Sequence, residues 1–375
     1  MAAIIALTDR GLERALVLAE FLPGEVEIYA HEHCHKQIPA NGCMLTQPAS
    51  EQEPTPGFRS MEARSFRRLR ELLPELWLSH RLLILIMAAG IVVREMGSLL
   101  QGKERDPAVL VGDEAGRFLI PLLSGHLGGA NAWANYLAAR AGSTAVITTA
   151  TDVQGFTAPD EYARRFDWKV EPLEHLPGVN RKLLDYGHLG YFSEQELPAA
   201  HPLCRDPHYQ EVAPFQADII ISAFPTFPSA ALYLIPRILS IGVGCRRGVS
   251  SDAVLEAIAA AMTQVGASYS ALKGIYSIDL KAGEQGLIEA AARLGIPFIT
   301  FKASEIQTKN EETGLTPSEF VQEKIGVDGV CEAASLLGTE NGSLILPKTK
   351  MKGITVAISR ERSWLSVSDP VIPNI

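Results

Sequence analysis

The residues best equipped for chemistry fall in one run, Asp113-Glu114-Ala115-Gly116-Arg117-Phe118 and then Pro121-Leu122-Leu123-Ser124-Gly125-His126-Leu127-Gly128-Gly129-Ala130-Asn131. The run lies between a strand-like and a helix-like stretch. Glycines at such a junction let the backbone approach a ligand closely, and the N–H groups that open the next helix can meet a carboxylate or an oxyanion. His126 is a side chain able to change charge near neutral pH, and Glu114 with Asp113 is placed to orient it or to act as an acid or base itself. Ser124 is a candidate nucleophile, although no sequence feature sets its hydroxyl beside His126, so direct attack by water is preferred. The competing reading is a Gly-rich strand-to-helix turn with a capping serine.

Three other groups carry possible chemistry. His31, His33 and His35 alternate, which on a strand puts all three on one face and could hold a transition metal; solvated histidines at a strand end are the plainer reading, and no mechanism is built on a metal here. Gly97 to Glu104 nearly forms a phosphate-binding loop, but Glu104 stands where Ser or Thr would coordinate magnesium, which rejects ATP or GTP. Ile241-Gly242-Val243-Gly244-Cys245-Arg246-Arg247-Gly248 has glycines spaced wrongly for a dinucleotide, and Met262 to Ser270 supplies no acid for a ribose. Arg246 and Arg247 beside a helix start that Ser250 or Ser251 can cap are better suited to carboxylates, which guanidinium groups grip through paired hydrogen bonds. Lys281 and Glu284 after one strand, and Lys348, Lys350 and Lys352 between the last two, would extend that basic rim. Individually, each is an ordinary solvated charge.

The elements that must position these residues alternate between strand-like and helical stretches, the mark of α/β layering. Met1 to Leu7 reads as a first strand, Gly11 to Phe21 as a helix and Glu25 to Tyr29 as a strand. Residues 47–57 form a loop, and Arg64 to Leu73 a basic helix. Leu82 to Val93 reads as a buried strand running into a glycine turn at Gly90, well short of the ~20 residues that cross a bilayer. Ala108 to Val111, helix Ala130 to Arg140 and strand Ala145 to Thr149 follow. Prolines interrupt Glu171 to Val212, which is read as irregular or as a small subdomain. The expected fold is therefore an N-terminal α/β region over 1–152 with the Ser-Gly-His-Leu-Gly-Gly loop, an irregular middle region over 153–237, a separate three-layer C-terminal α/β domain over 238–360, and a tail over 361–375.

The 375 residues are 47% hydrophobic and 21% charged, enough for two or three compact domains. A net charge of -9 argues against non-specific attraction to nucleic acid or anionic lipid. Five scattered cysteines without a C-x-x-C pair fit a reducing cytoplasm, and the N-terminus has no signal-peptide pattern.

Taken together these segments resemble the CbiG family of cobalamin biosynthesis. The run from Gly90-Ile91-Val92-Val93-Arg94 to Ile147-Thr148-Thr149-Ala150-Thr151-Asp152 is similar to its N-terminal part. Gly242 to Gly248, Ser277-Ile278-Asp279-Leu280-Lys281, Gly326 to Ala334 and Leu346-Pro347-Lys348 resemble its C-terminal domain. The resemblance implies hydrolysis of the ring A δ-lactone of cobalt-precorrin-5A with loss of acetaldehyde, giving cobalt-precorrin-5B. It calls for no cofactor, since the cobalt comes with the substrate, and it leaves a homodimer open. In this reading His126 is the general base, Glu114 orients it, the Gly128 and Gly129 N–H groups meet the oxyanion, and Arg94 or Arg117 grips a carboxylate. Asn131, Arg246, Arg247, Lys281, Glu284 and Lys348 complete the substrate contacts. The rival reading is a non-catalytic corrinoid carrier, because the C-terminal domain alone has basic loops to hold the substrate but no histidine, all nine lying at or before position 208.

Overall fold

The computed structural model describes residues 1–34, 63–102, 105–226, 231–314 and 329–362. The loop at 47–57, His35, Glu104 and most of the tail lie outside them. The chain divides into two compact units, Met1–Arg165 and a second beginning at Phe166.

The first unit is built on a seven-stranded sheet ordered β3-β2-β1-β4-β5-β6-β7. Its strands are β1 (Ala2–Ala6), β2 (Val26–His31), β3 (Ala63–Phe66), β4 (Leu82–Ile86), β5 (Ala108–Gly112), β6 (Phe118–Leu123) and β7 (Thr144–Ala145). β1, β4 and β5 are buried at every position, as unbroken apolar runs in the centre of a parallel sheet must be, covered on both faces. The helices are α1 (Asp9–Ala19), α2 (Leu69–Ser79), α3 (Ala89–Met96), α4 (Ala130–Ala141), α5 (Ala150–Val153) and α6 (Pro159–Arg165). β6 runs antiparallel to β5, pairing Gly112 with Leu119 and Val109 with Leu123. That reversal carries the chain back to the rim where the parallel strands begin, so the turn before β6 and the loop after it lie at opposite ends of the sheet. Pro121 is tolerated because β7 pairs only with Phe118 and Leu119, leaving Pro121 where its missing N–H costs no ladder bond.

Three local expectations change. Arg64 to Phe66 is strand rather than helix, because Ile28 to His31 offers it a parallel partner; the helix starts at Leu69, where Leu69, Leu73, Leu76 and Trp77 make the buried stripe. The apolar run ends as a strand at Ile86, and Gly90 lies in the first turn of α3. The strand expected at Ala145 to Thr149 shortens to Thr144–Ala145.

The second unit contains two five-stranded sheets. The first has β8 (Lys169–Glu171), β9 (Leu189–Ser193), β10 (Tyr209–Glu211), β11 (Ile219–Ile221) and β12 (Leu232–Ile235), with α7 (Leu176–Tyr186) and α8 (Pro202–Arg205) among its connections. The segment read as irregular or as a small subdomain thus supplies strands and helices of a sheet of its own, in line with the second reading. Its elements are short, three to five residues for most strands, which hides their periodicity. The second sheet is ordered β15-β14-β13-β17-β16. Its strands are β13 (Leu239–Cys245), β14 (Leu272–Ile278), β15 (Phe298–Phe301), β16 (Ser343–Met351) and β17 (Ile354–Arg360), and its helices α9 (Ser251–Val265), α10 (Gln285–Leu294), α11 (Ala303–Thr313) and α12 (Cys331–Leu337). Ile220, Tyr233 and Ile235 of the first sheet, with Ala223 just after β11, share one buried cluster with Ile241, Val243 and Leu272 of the second and with Ile258 of α9.

Candidate active site

At the end of β6 the chain folds tightly on itself. Ser124 adopts φ +56°, an uncommon conformation for a residue with a Cβ. Its hydroxyl donates to the Asp106 carbonyl at 3.1 Å and so is not turned to His126. A Cβ on Gly128 would lie 2.4 Å from that of Ser124, and one on Gly125 would lie 2.8 Å from Asn131 Oδ1. These glycines are therefore required by the loop's own packing. The Gly129, Ala130 and Asn131 N–H groups donate to the carbonyls of His126, Ser124 and Gly125. The Gly129 donor expected to meet an oxyanion is already used.

The loop delivers His126 into a pocket of carboxylates. Nε2 faces Asp152 Oδ2 at 2.8 Å and Nδ1 faces Asp160 Oδ1 at 3.4 Å, with the imidazole 9% exposed, Asp152 22% and Asp160 7%. Asp152 enters from the first turn of α5 and Asp160 from that of α6. Burial disfavours the imidazolium, but the hydrogen bonds and charge of Asp152 and Asp160 outweigh it and push the pKa of His126 up to about 10. Asn131, expected to contact substrate, is buried and donates to Thr149 Oγ1 at 2.9 Å and to Asp152 Oδ2 at 3.1 Å. It holds Asp152 in place. Glu161 approaches His126 and Asp152 within 4.8 Å, a donor set of the kind a divalent cation uses. Here Arg165 at 3.1 Å and Arg164 at 3.9 Å pair with Glu161, and the imidazole faces Asp152.

Glu114 does not orient His126. It lies in the turn between β5 and β6, at the other rim of the sheet, where Oε1 accepts from Thr8 Oγ1 at 2.8 Å. The six residues of β6 separate the two places by roughly 20 Å at ~3.3 Å per residue. Arg117 shares the Glu114 rim, donating to Asp113 Oδ2 at 2.9 Å, and Arg94 is exposed on α3. The structure thus brings His126, Ser124, Gly128, Gly129 and Asn131 together and leaves Glu114 and Arg117 at the other rim, with Arg94 exposed on α3 and in none of the cluster's ion pairs or hydrogen bonds among the described residues. The clustered partners that sequence reasoning did not assign are Asp152 and Asp160. Asp152 closes the Thr-Thr-Ala-Thr-Asp run quoted for the family, while Asp160 carries no local signal. β2 ends at His31, so the expected alternation along a strand stops there, although the His31 and His33 rings meet edge to face with centroids 4.7 Å apart; His31 Nε2 meets the Arg67 carbonyl at 2.9 Å and its Nδ1 accepts from the His33 N–H at 3.3 Å.

In the second unit, Arg246 and Arg247 follow β13 and Lys281 follows β14 at the same sheet end. The Lys352–Gly353 turn joins that end, because Cys245 pairs with Ile354. The basic rim is therefore assembled. Ser250 is the residue that caps α9. Glu284, expected to contact substrate, instead accepts from the Gly248 N–H at 2.7 Å and from Lys281 Nζ at 3.1 Å. Although burial raises its pKa, those bonds hold its carboxyl below the usual range. Lys348 lies in β16, its N–H donated to Glu332 Oε1 at 3.0 Å. Gly242 answers a packing need: a Cβ there would come 1.8 Å from the Cys331 carbonyl at the start of α12.

Family models match in two places, "Cobalamin synthesis G N-terminal" over residues 71–152 and "Cobalamin synthesis G C-terminus" over 239–359. The chain is 31% identical over 315 residues to the cobalt-precorrin-5A hydrolase of Priestia megaterium, covering 78% of this chain and 81% of that one. It is 33% identical over 290 residues to the cobalt-precorrin-5A hydrolase of Salmonella typhimurium, covering 75% and 82%. A crystal structure of a cobalamin biosynthesis protein G homologue from Sulfolobus solfataricus is 19% identical, covers 96% of this chain and 97% of its own, and superposes with a TM-score of 0.39. With two family segments in order and such identity across most of both relatives, the chain belongs to the cobalamin synthesis G (CbiG) family.

Proposed function

We propose that the protein hydrolyses the ring A δ-lactone of cobalt-precorrin-5A, releasing acetaldehyde and giving cobalt-precorrin-5B in anaerobic cobalamin biosynthesis. The observation that carries this reading is the 31% and 33% identity to two proteins named for that hydrolysis, each covered over about four-fifths of its length. Water attacks the lactone carbonyl carbon, and the ring C–O bond breaks to leave a free carboxylate and a hydroxyl on the methylated carbon. That hydroxyl then loses its proton as its C=O forms, the C–C bond breaks, and the macrocycle carbon takes the electron pair and a proton. Water is the co-reactant, and cobalt belongs to the substrate.

His126 serves this chemistry in a different role from the expected base. A ring with a pKa of about 10 is already protonated at neutral pH and cannot accept the proton of water. It contributes a fixed positive charge, which in a site sheltered from water stabilises a developing anion strongly. Arg246, Arg247 and Lys281 are read as partners for the substrate's acetate and propionate arms, a local attraction in a chain whose net charge is -9. The reading assigns the reaction to the cytoplasm, since five scattered cysteines without a C-x-x-C pair suit a reducing compartment. Among the described residues no helix is long and apolar enough to cross a membrane.

The test is to add the purified protein to cobalt-precorrin-5A without other cofactors and to follow acetaldehyde through coupled alcohol dehydrogenase. One acetaldehyde per substrate is expected. Tight binding of the corrinoid with no acetaldehyde would replace the hydrolase by the carrier reading.

A further inference from the structure

We propose that Asp152 is the carboxylate that takes the proton from the attacking water, and that Asp160 is a positioning residue acting on it through His126. The inference deepens the hydrolase reading and rests on it.

Asp152 is the most open carboxylate of the cluster, 22% exposed against 18% for Glu161 and 7% for Asp160. Both hydrogen bonds it receives, from His126 Nε2 at 2.8 Å and Asn131 Nδ2 at 3.1 Å, fall on the same atom, Oδ2. Oδ1 accepts no hydrogen bond among the described residues, so the carboxylate is fixed by one oxygen and presents the other. Glu161 lacks that freedom, held by Arg165 and Arg164, and Asp160 is enclosed. The groups facing the imidazole are Asp152 and Thr151 from α5 and Asp160 and Glu161 from α6, with Arg164 and Arg165 paired to Glu161. Asp160 Oδ1, buried and 3.4 Å from Nδ1, stands as a counter-charge on the far side of the ring while Nε2 meets Asp152, the placement by which an outer carboxylate orients a working histidine.

In the step this arrangement supports, a water proton passes to Asp152 Oδ1 as the water oxygen bonds to the lactone carbonyl carbon and the carbonyl electron pair moves to its oxygen. Collapse reforms the carbonyl and breaks the ring C–O bond, and the departing alkoxide takes the proton back from Asp152. One water is added and the protein is unchanged. The His126 charge persists throughout, consistent with its raised pKa.

The experiment compares wild type, Asp152→Asn, Asp152→Ala and Asp160→Asn for acetaldehyde release from cobalt-precorrin-5A across pH, each first checked for wild-type far-UV circular dichroism. Asp152→Asn should lose about 10²–10⁴-fold in kcat, the range for a positioned acid or base, with KM little changed. Asp152→Ala should recover part of that loss with added formate, which a merely structural role would not allow. In Asp160→Asn the alkaline limb of the kcat profile should move to lower pH, following the imidazolium. Turnover in Asp152→Asn within tenfold of wild type, or an alkaline limb unmoved in Asp160→Asn, would overturn the proposal while the hydrolase reading stands. Absence of acetaldehyde with wild type itself would overturn both.

Discussion

Ser124 and His126 are two residues apart and meet different fates. The Ser124 hydroxyl is committed to the Asp106 carbonyl, so Ser124→Ala should keep kcat within a few-fold and lose about 1 kcal/mol of stability, the net worth of a typical hydrogen bond. A loss of more than a hundredfold in acetaldehyde release would restore the serine as nucleophile. For His126 the folded pKa of about 10 lies above the unfolded value of 6.5. The folded state therefore holds the proton more tightly, its stabilisation is complete below pH ~6.5, and it is lost as pH climbs toward ~10. Tm should fall over that window, and His126→Gln should flatten the fall. Parallel profiles for the two proteins would count against the carboxylate clamp. The sequence made His126 visible because an imidazole among glycines is conspicuous. It paired the ring with Glu114 because nearness in sequence was the sole guide, and the antiparallel turn of β6 sends those residues to opposite rims. Asp160 was illegible, as its approach depends on where α6 folds back.

At the level of elements, the glycines after Leu239 read as a ligand loop, and the structure gives them a packing duty. The Cys331 carbonyl leaves no room at Gly242, whereas Gly248 has nothing within 4 Å and φ +77°. Gly242→Ala should accordingly cost ~3 kcal/mol or more by forcing α12 off the sheet, and Gly248→Ala about 1 kcal/mol from backbone strain alone. Urea midpoints would measure both, and equal losses would contradict this account. Central strands such as β4 and β5 were easy to read because burial on both faces leaves an unbroken apolar run. The short strands β8, β10 and β11, of three residues each, offer too few positions for a period to emerge.

For the molecule as a whole, the two sheets beyond Phe166 should unfold together, because Ile220 of one lies in the same cluster as Ile241 and Val243 of the other. Ile220→Ala, at a fully buried site, should lose ~2–5 kcal/mol and speed native-state hydrogen exchange in β13 as well as β11. Faster exchange confined to β11 and β12 would show two independent cores. The pocket around His126 reaches further, into the heat of folding. Near pH 8 the unfolded ring is mostly neutral and the folded ring charged, so closing the pocket draws roughly one proton from solution. That proton is surrendered by the buffer, and its ionisation heat is added to every calorimetric trace. The unfolding enthalpy measured in an amine buffer and in phosphate should differ accordingly, and with His126→Gln most of that difference should vanish.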